Sequence, residues 1–117
     1  MTPLARVLVV DDDESLRLLA RVNLEIEGFE VSEAGTMAEA EAALEERPDV
    51  VLLDVHLGGD ESTALLAQIH EAGIPVAIVT GSVDVSEFRS LADAVLTKPY
   101  QPSTLVEVTR RLARVES

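Results

Sequence analysis

Cysteine is absent from this chain, so neither a disulfide framework nor a thiolate metal site is open to it. Long hydrophobic runs are absent as well. The longest apolar stretches hold four or five residues, far short of the ~20 that a membrane helix needs. No basic-then-apolar leader precedes the first strand-like run, so the mark of a secretory signal is missing. Positive charge is scarce: 9 Lys plus Arg face 22 Asp plus Glu, and a formal charge of −13 repels phosphate backbones and anionic membrane surfaces alike. Direct binding to nucleic acid or to a membrane is therefore not expected. Lysine is scarcest of all, since eight of the basic residues are arginine and Lys98 stands alone. The two are not interchangeable at a tight site, so one compact ammonium in an arginine-choosing chain marks Lys98 as a candidate. What remains is the expectation of a soluble, cytoplasmic protein with a single domain over residues 1–117, long enough to bury roughly two-thirds of the surface its unfolded form exposes.

Short apolar runs alternate with amphipathic stretches along the whole chain. Val7-Leu8-Val9-Val10 is continuous rather than alternating and predicts a strand buried on both faces. Ser15 to Glu27 predicts a helix whose core face carries Leu16, Leu19, Ala20 and Leu24, with Gly28 as its stop. Phe29 to Ala34 predicts a second strand, and Gly35-Thr36 a turn whose threonine caps a helix running to about Arg47, ended by Pro48. Val50 to Leu53 is a third strand ending at Asp54; Gly58-Gly59 predicts a loop, and a helix follows from about Ser62 to Ala72, stopped by Gly73. Pro75 to Val79 and Ala94 to Thr97 are the last strands, with only one or two helical turns between them, from Asp84 to Leu91. Pro102 suits the first turn of a final helix bearing Leu105, Val108 and Leu112, which reads as a natural end at Ser117. Five strands alternating with five helices across short loops imply an α/β fold: a flavodoxin-like (βα)5 three-layer sandwich with a parallel sheet in the order 2-1-3-4-5, its fourth helix short or degenerate.

In such sheets ligands bind beyond the carboxyl ends of the strands, at the switch point between the first and third. Asp11-Asp12-Asp13 follow the first strand, Asp54 ends the third, Thr80 follows the fourth and Lys98-Pro99 the fifth. Taken alone, the Asp11 to Asp13 run is equally well a helix cap, Asp54 an ordinary loop carboxylate and Thr80 an ordinary loop threonine. Together they are more. Carboxylates that close repel, and a hard divalent ion with oxygen ligands neutralises them; Mg²⁺ needs few carboxylates because it keeps several waters. A carboxylate can attack phosphorus to form an aspartyl phosphate, and phosphoryl transfer asks mainly for positioning and neutralised oxygens. Asp54, a metal on Asp11 and Asp12, the ammonium of Lys98 and the hydroxyl of Thr80 make a complete set for that chemistry.

Four segments, Val9-Val10-Asp11-Asp12, Leu52-Leu53-Asp54, Val79-Thr80-Gly81 and Thr97-Lys98-Pro99-Tyr100, closely resemble the receiver domain of bacterial two-component response regulators, in order and at the corresponding strand ends. The resemblance covers essentially the whole chain. It implies a regulatory phospho-acceptor rather than a substrate-turnover enzyme, with Mg²⁺-dependent self-phosphorylation and slow self-dephosphorylation. It implies Mg²⁺ (or Mn²⁺) held by Asp12, Asp54 and the backbone carbonyl of His56, with Asp11 nearby through water. Asp54 would accept a phosphoryl group from a phosphohistidine on a sensor histidine kinase or a histidine phosphotransfer protein. Thr80 and Lys98 would contact the phosphoryl oxygens, and the Lys98-Pro99 peptide would be cis. A downstream protein partner and a monomeric or weakly dimeric state are implied too.

Several positions depart from the family pattern. Val95 stands where receivers commonly carry an aromatic residue whose rotation couples phosphorylation to output. Fewer residues separate Thr80 from Lys98 than in chemotaxis-type receivers, and Gly58-Gly59 replaces a common proline. These features resemble the atypical short single-domain receivers with a Thr-Gly step after the fourth strand, although those often place an aromatic residue where this chain has Ser82. The expectation is a Thr80-centred rearrangement without aromatic gating. With aromatics at 3 %, Tyr100 and Phe88 are expected to be plain packing residues, and His70 a surface helix residue. Two competing functions are a phosphorylation-independent interaction module on a receiver scaffold and an aspartyl-nucleophile phosphatase; the latter wants a second acid two residues after Asp54, where His56 stands.

Overall fold

The computed structural model describes residues 4–55, 59–81 and 90–114. Five strands and four helices follow one another as β1 (Arg6–Val10), α1 (Glu14–Ile26), β2 (Glu30–Ala34), α2 (Met37–Leu44), β3 (Val50–Asp54), α3 (Gly59–Glu71), β4 (Val76–Thr80), β5 (Ala94–Thr97) and α4 (Pro102–Ala113). All strands pair in parallel in the order β2-β1-β3-β4-β5, the order expected from the sequence. β1 and β3 sit side by side at the centre, with Val9 opposite Leu52 and Val10 opposite Leu53, so their carboxyl ends emerge together. Asp54 lies opposite Val79 and Thr80 opposite Thr97, which carries the same edge across to β5.

Residues alternate between the sheet's two faces, as the pleat requires. Val7, Val9, Leu52, Val79 and Leu96 pack with Ala20 and Leu24 of α1 and Leu105 and Val108 of α4. Leu8, Val10, Leu53 and Ile78 pack on the opposite face with Ala40 of α2 and Leu65, Leu66 and Ile69 of α3. The three-layer sandwich follows from that division. β3 and β4 are buried at every position, which is why their sequences read as unbroken apolar runs. Leu66 is wholly buried in this second layer. Leu66→Ala is expected to lower stability in urea denaturation by about 2–5 kcal/mol, the range for a large core side chain whose void cannot collapse; a loss below about 1 kcal/mol would contradict the packing described.

The helix ends show why several boundaries differ from the sequence reading. α1 ends into Gly28, whose φ of 99° lies in the left-handed region that glycine enters without penalty. Thr36 caps α2 by accepting from the Glu39 N–H at 3.1 Å, while the Gly35 N–H donates back to Glu39 Oε1 at 2.8 Å. α2 stops at Leu44 rather than near Arg47. Its last turn tightens through Glu46 N–H to Ala43 and Arg47 N–H to Leu44, and Arg47, ahead of Pro48, leaves the right-handed region at φ 53°. α3 begins at Gly59, three residues before the expected Ser62, because the first helical turn leaves its N–H groups unpaired and tolerates a glycine there. Leu19, expected on the core face of α1, is 52 % exposed. The segment expected to form a reduced helix lies, through residue 89, outside the described residues; Ser90 and Leu91 form a turn.

Candidate functional site

The carboxyl edge of the sheet gathers the acidic residues and the lone lysine. Asp11 and Asp54 are buried, at 7 % and 3 % exposure, while Asp12 faces solvent. One carboxylate oxygen from each of Asp11, Asp12 and Asp54 lies within 4.8 Å of the others, a grouping compact enough to hold a metal ion. Lys98, carried to the edge by β5, donates from Nζ to Asp54 Oδ2 at 3.0 Å and stands 4.0 Å from Asp11 Oδ2. Its backbone N–H donates to the Thr80 carbonyl at 2.7 Å, which fixes the lysine against the end of β4. Thr80 is fully buried, and the Lys98-Pro99 peptide is cis.

The three-aspartate run divides its labour. Asp13 is the N-cap of α1, accepting at Oδ1 from Ser15 N–H at 2.9 Å and Leu16 N–H at 3.2 Å. Asp11 instead turns its side chain to the sheet edge, where Oδ1 accepts the Asp13 N–H at 2.9 Å. Capping thus falls to Asp13, while Asp11 joins the acidic group at the edge.

The electrostatics record the crowding. Asp11 has its pKa pushed up to about 6, first by burial and then by the neighbouring Asp54 carboxylate, against the lowering effect of its backbone hydrogen bond and of Lys98. Burial pulls Lys98 down, but its hydrogen bond with Asp54 and attraction to Asp54 and Asp11 outweigh that and leave its pKa raised. One ammonium does not fully neutralise three carboxylates. The donor set, all oxygen, hard and partly open to water at Asp12, fits a divalent cation of the Mg²⁺ class.

A family model described as the response regulator receiver domain matches residues 7–110. The chain belongs to that family. The DNA-binding response regulator MtrA of Mycolicibacterium smegmatis is 36% identical over 95% of this chain and 52% of its own length. The C4-dicarboxylate transport transcriptional regulatory protein DctD of Pseudomonas aeruginosa is 32% identical over 94% of this chain and 25% of its own. The chain spans about half the length of the MtrA relatives it matches. Among solved structures, a response regulator from Thermotoga maritima aligns with a TM-score of 0.84 at 30% identity, covering 97% of this chain and 99% of that one. The protein is therefore a receiver domain, the phospho-acceptor signalling module of two-component systems.

Not every residue singled out in the sequence falls within view. The receiver's Asp11, Asp12, Asp54, Thr80, Lys98 and Pro99 converge on one edge, whereas His56, Ser82 and Phe88 lie outside the described residues. Val95 is half-buried and packs against the layer beneath α2 and α3. Tyr100 packs against the other layer, as plain packing predicts, and His70 is exposed. No described helix is long and apolar enough to cross a membrane. Leu19 lines an apolar groove of about 410 Å³ between α1 and the start of α4, together with Leu16, Asn23, Tyr100 and Leu105, and Lys98 forms part of its wall.

Sequence reasoning missed a basic group behind the site. Arg17 on α1 donates from one guanidinium nitrogen to the Asp11 carbonyl at 2.7 Å and from another to Glu33 at 3.3 Å. Arg21 donates to the same Glu33 at 2.8 Å, and that bond, with the Arg17 one, holds the Glu33 carboxyl below the usual carboxylate range. The available signal was a helical pair, Arg17 and Arg21, spaced to meet an acid on the neighbouring strand.

Proposed function

We propose that Asp54 is the phosphoryl acceptor of this receiver domain and that Asp11, Asp12 and Asp54, with the backbone carbonyl of His56, hold the Mg²⁺ (or Mn²⁺) on which acceptance depends. The observation that carries this reading is the buried Asp54 carboxylate, grouped with Asp11 and Asp12 and hydrogen-bonded to the chain's only lysine at 3.0 Å. A carboxylate oxygen of Asp54 forms a new P–O bond while the P–N bond to a donor imidazole breaks, and the imidazole leaves with the electron pair and takes up a proton. The metal, when bound, supplies neutralisation of the phosphoryl oxygens. Lys98 follows the transferred charge, moving its ammonium from a carboxylate oxygen to a phosphoryl oxygen, and the Thr80 hydroxyl donates to another.

The donor in this reading is a phosphohistidine on a sensor kinase or phosphotransfer protein. The exposed apolar side chains Leu18, Leu19, Val22 and Ile26 on α1, of which Leu19 lines the groove that Lys98 walls, support docking of that donor near Asp54. A phosphorylation-independent interaction module gains no support, because the acidic group and its lysine are kept assembled. Incubation with acetyl phosphate, with and without Mg²⁺, followed by mass spectrometry, tests the assignment; a Mg²⁺-dependent adduct on Asp54 is expected, and its absence overturns the reading. Removing the ammonium should weaken the reaction without ending it: Lys98→Met is expected to form the same adduct about a hundredfold more slowly. An unchanged rate in a quenched time course would show that Lys98 contributes only to the resting structure.

A further inference from the structure

We propose that Arg17 is a positioning residue that holds the β1–α1 acidic loop in its metal-binding geometry, and that Gly35 is small so that the guanidinium can do so. The inference rests on the Mg²⁺ reading of Asp11, Asp12 and Asp54. Three hydrogen bonds to or from backbone groups help to fix Asp11. Its N–H donates to the Ala34 carbonyl at 3.0 Å, its side chain accepts the Asp13 N–H at 2.9 Å, and its carbonyl accepts Arg17 at 2.7 Å. The last comes from a side chain of α1, and the Lys98 ammonium stands 4.0 Å from the carboxylate as well. The guanidinium is itself held: it pairs with Glu33, and both side chains are largely sheltered, at 18% and 23% exposure. It also packs against the β2–α2 turn at Gly35. A Cβ built on Gly35 would meet Arg17 Nη1 at 2.6 Å and its Cζ at 3.2 Å, so any larger residue displaces the fork. A charge-assisted bond to a peptide carbonyl is stronger and more directional than a neutral one, and it keeps that carbonyl turned away from the site while the carboxylate faces in.

Charge and position make opposite predictions. Deleting a cation behind an acidic cluster would by itself strengthen attraction for a divalent ion. Loss of positioning weakens it, as removal of groups that orient metal ligands commonly does by about 10- to 100-fold. Glu33 faces Arg17 at 3.3 Å and Arg21 has Glu25 as a second acid, so the two cations are offset by two carboxylates and the positional effect should win. The test is Mg²⁺ affinity, by titration calorimetry in the absence of any phosphodonor, on the unaltered chain, Arg17→Ala and Gly35→Ala. Arg17→Ala should bind Mg²⁺ about tenfold more weakly. Gly35→Ala keeps every charge and should fall in the same direction, even if Arg17→Ala folds poorly. With acetyl phosphate, the Mg²⁺ concentration for half-maximal acceptance should rise while the rate at saturating Mg²⁺ stays within about twofold, a split that general destabilisation does not produce. Mg²⁺ affinity unchanged in both variants overturns the proposal. If the unaltered chain itself binds no Mg²⁺, the metal reading beneath it fails, and that result is distinct.

Discussion

Replacing Asp54 by asparagine should abolish the Mg²⁺-dependent adduct formed with acetyl phosphate, by at least about three orders of magnitude in rate. The change is close to isosteric and sits at the end of a strand buried at every position, so the sheet has little reason to move. What disappears is the anionic nucleophile, because an amide oxygen is neutral and its nitrogen is not basic. Lys98 loses a charged partner at 3.0 Å but keeps Asp11 at 4.0 Å, so the ammonium stays at the edge. Asp11 in turn loses the neighbouring charge that helps to raise its pKa. Circular dichroism should therefore report a folded protein while mass spectrometry reports no adduct. An undiminished adduct, traced to Asp12 or elsewhere, would reassign the acceptor.

That such an experiment could be framed from the sequence reflects how strands and helices differ in legibility. β1, β3 and β4 lie between two helical layers, so both of their faces must be apolar and the runs around Leu8, Leu52 and Ile78 are unmistakable. Once the strand order is known, a parallel sheet places every post-strand residue on one edge, and Asp11, Asp54, Thr80 and Lys98 then converge by topology alone. Side-chain direction is not fixed by topology. Asp11 and Asp13 are two residues apart and chemically identical, yet one faces the site and the other caps α1, a choice made by backbone dihedrals that no composition argument reaches. Leu19 satisfied the helical spacing of the core but borders a groove, because only Ala20 and Leu24 meet the sheet squarely. The helical spacing of Arg17 and Arg21 marks at most their pairing with Glu33, not what Arg17 does at the site. Its importance lies in a contact to a backbone carbonyl and in the space above Gly35, and neither leaves a mark in the spacing of residue types.

Asp11→Asn should reverse the protein's stability order according to whether Mg²⁺ is present. The burial and charge crowding that push Asp11 up to about 6 mean that the folded, metal-free protein holds this proton more tightly than the unfolded chain does. With a folded pKa raised above its unfolded value, the group's favourable contribution is fully present below about pH 4 and is lost as pH rises through about 6. At neutral pH the ionised Asp11 is therefore a liability to the metal-free fold. Asparagine removes the charge and keeps Oδ1 for the Asp13 N–H, while its amide can donate toward Asp54. Metal-free Asp11→Asn should then exceed the unaltered chain by about 1–2 kcal/mol at pH 7, a figure discounted because the site opens to water at Asp12, and the two should converge below about pH 4. Mg²⁺ acts in the opposite sense, since an ion that binds only the folded state stabilises it by an amount set by its concentration relative to its dissociation constant. The unaltered chain, with three carboxylates, should gain more from millimolar Mg²⁺ than the variant with two, so the stability curves should cross as Mg²⁺ is added. Urea denaturation at pH 4 and pH 7, each with and without Mg²⁺, checks both halves. A variant that is less stable than the unaltered chain at pH 7 without metal would show that Asp11 is held by its contacts rather than strained by its neighbours. Equal gains from Mg²⁺ would remove Asp11 from the metal site altogether.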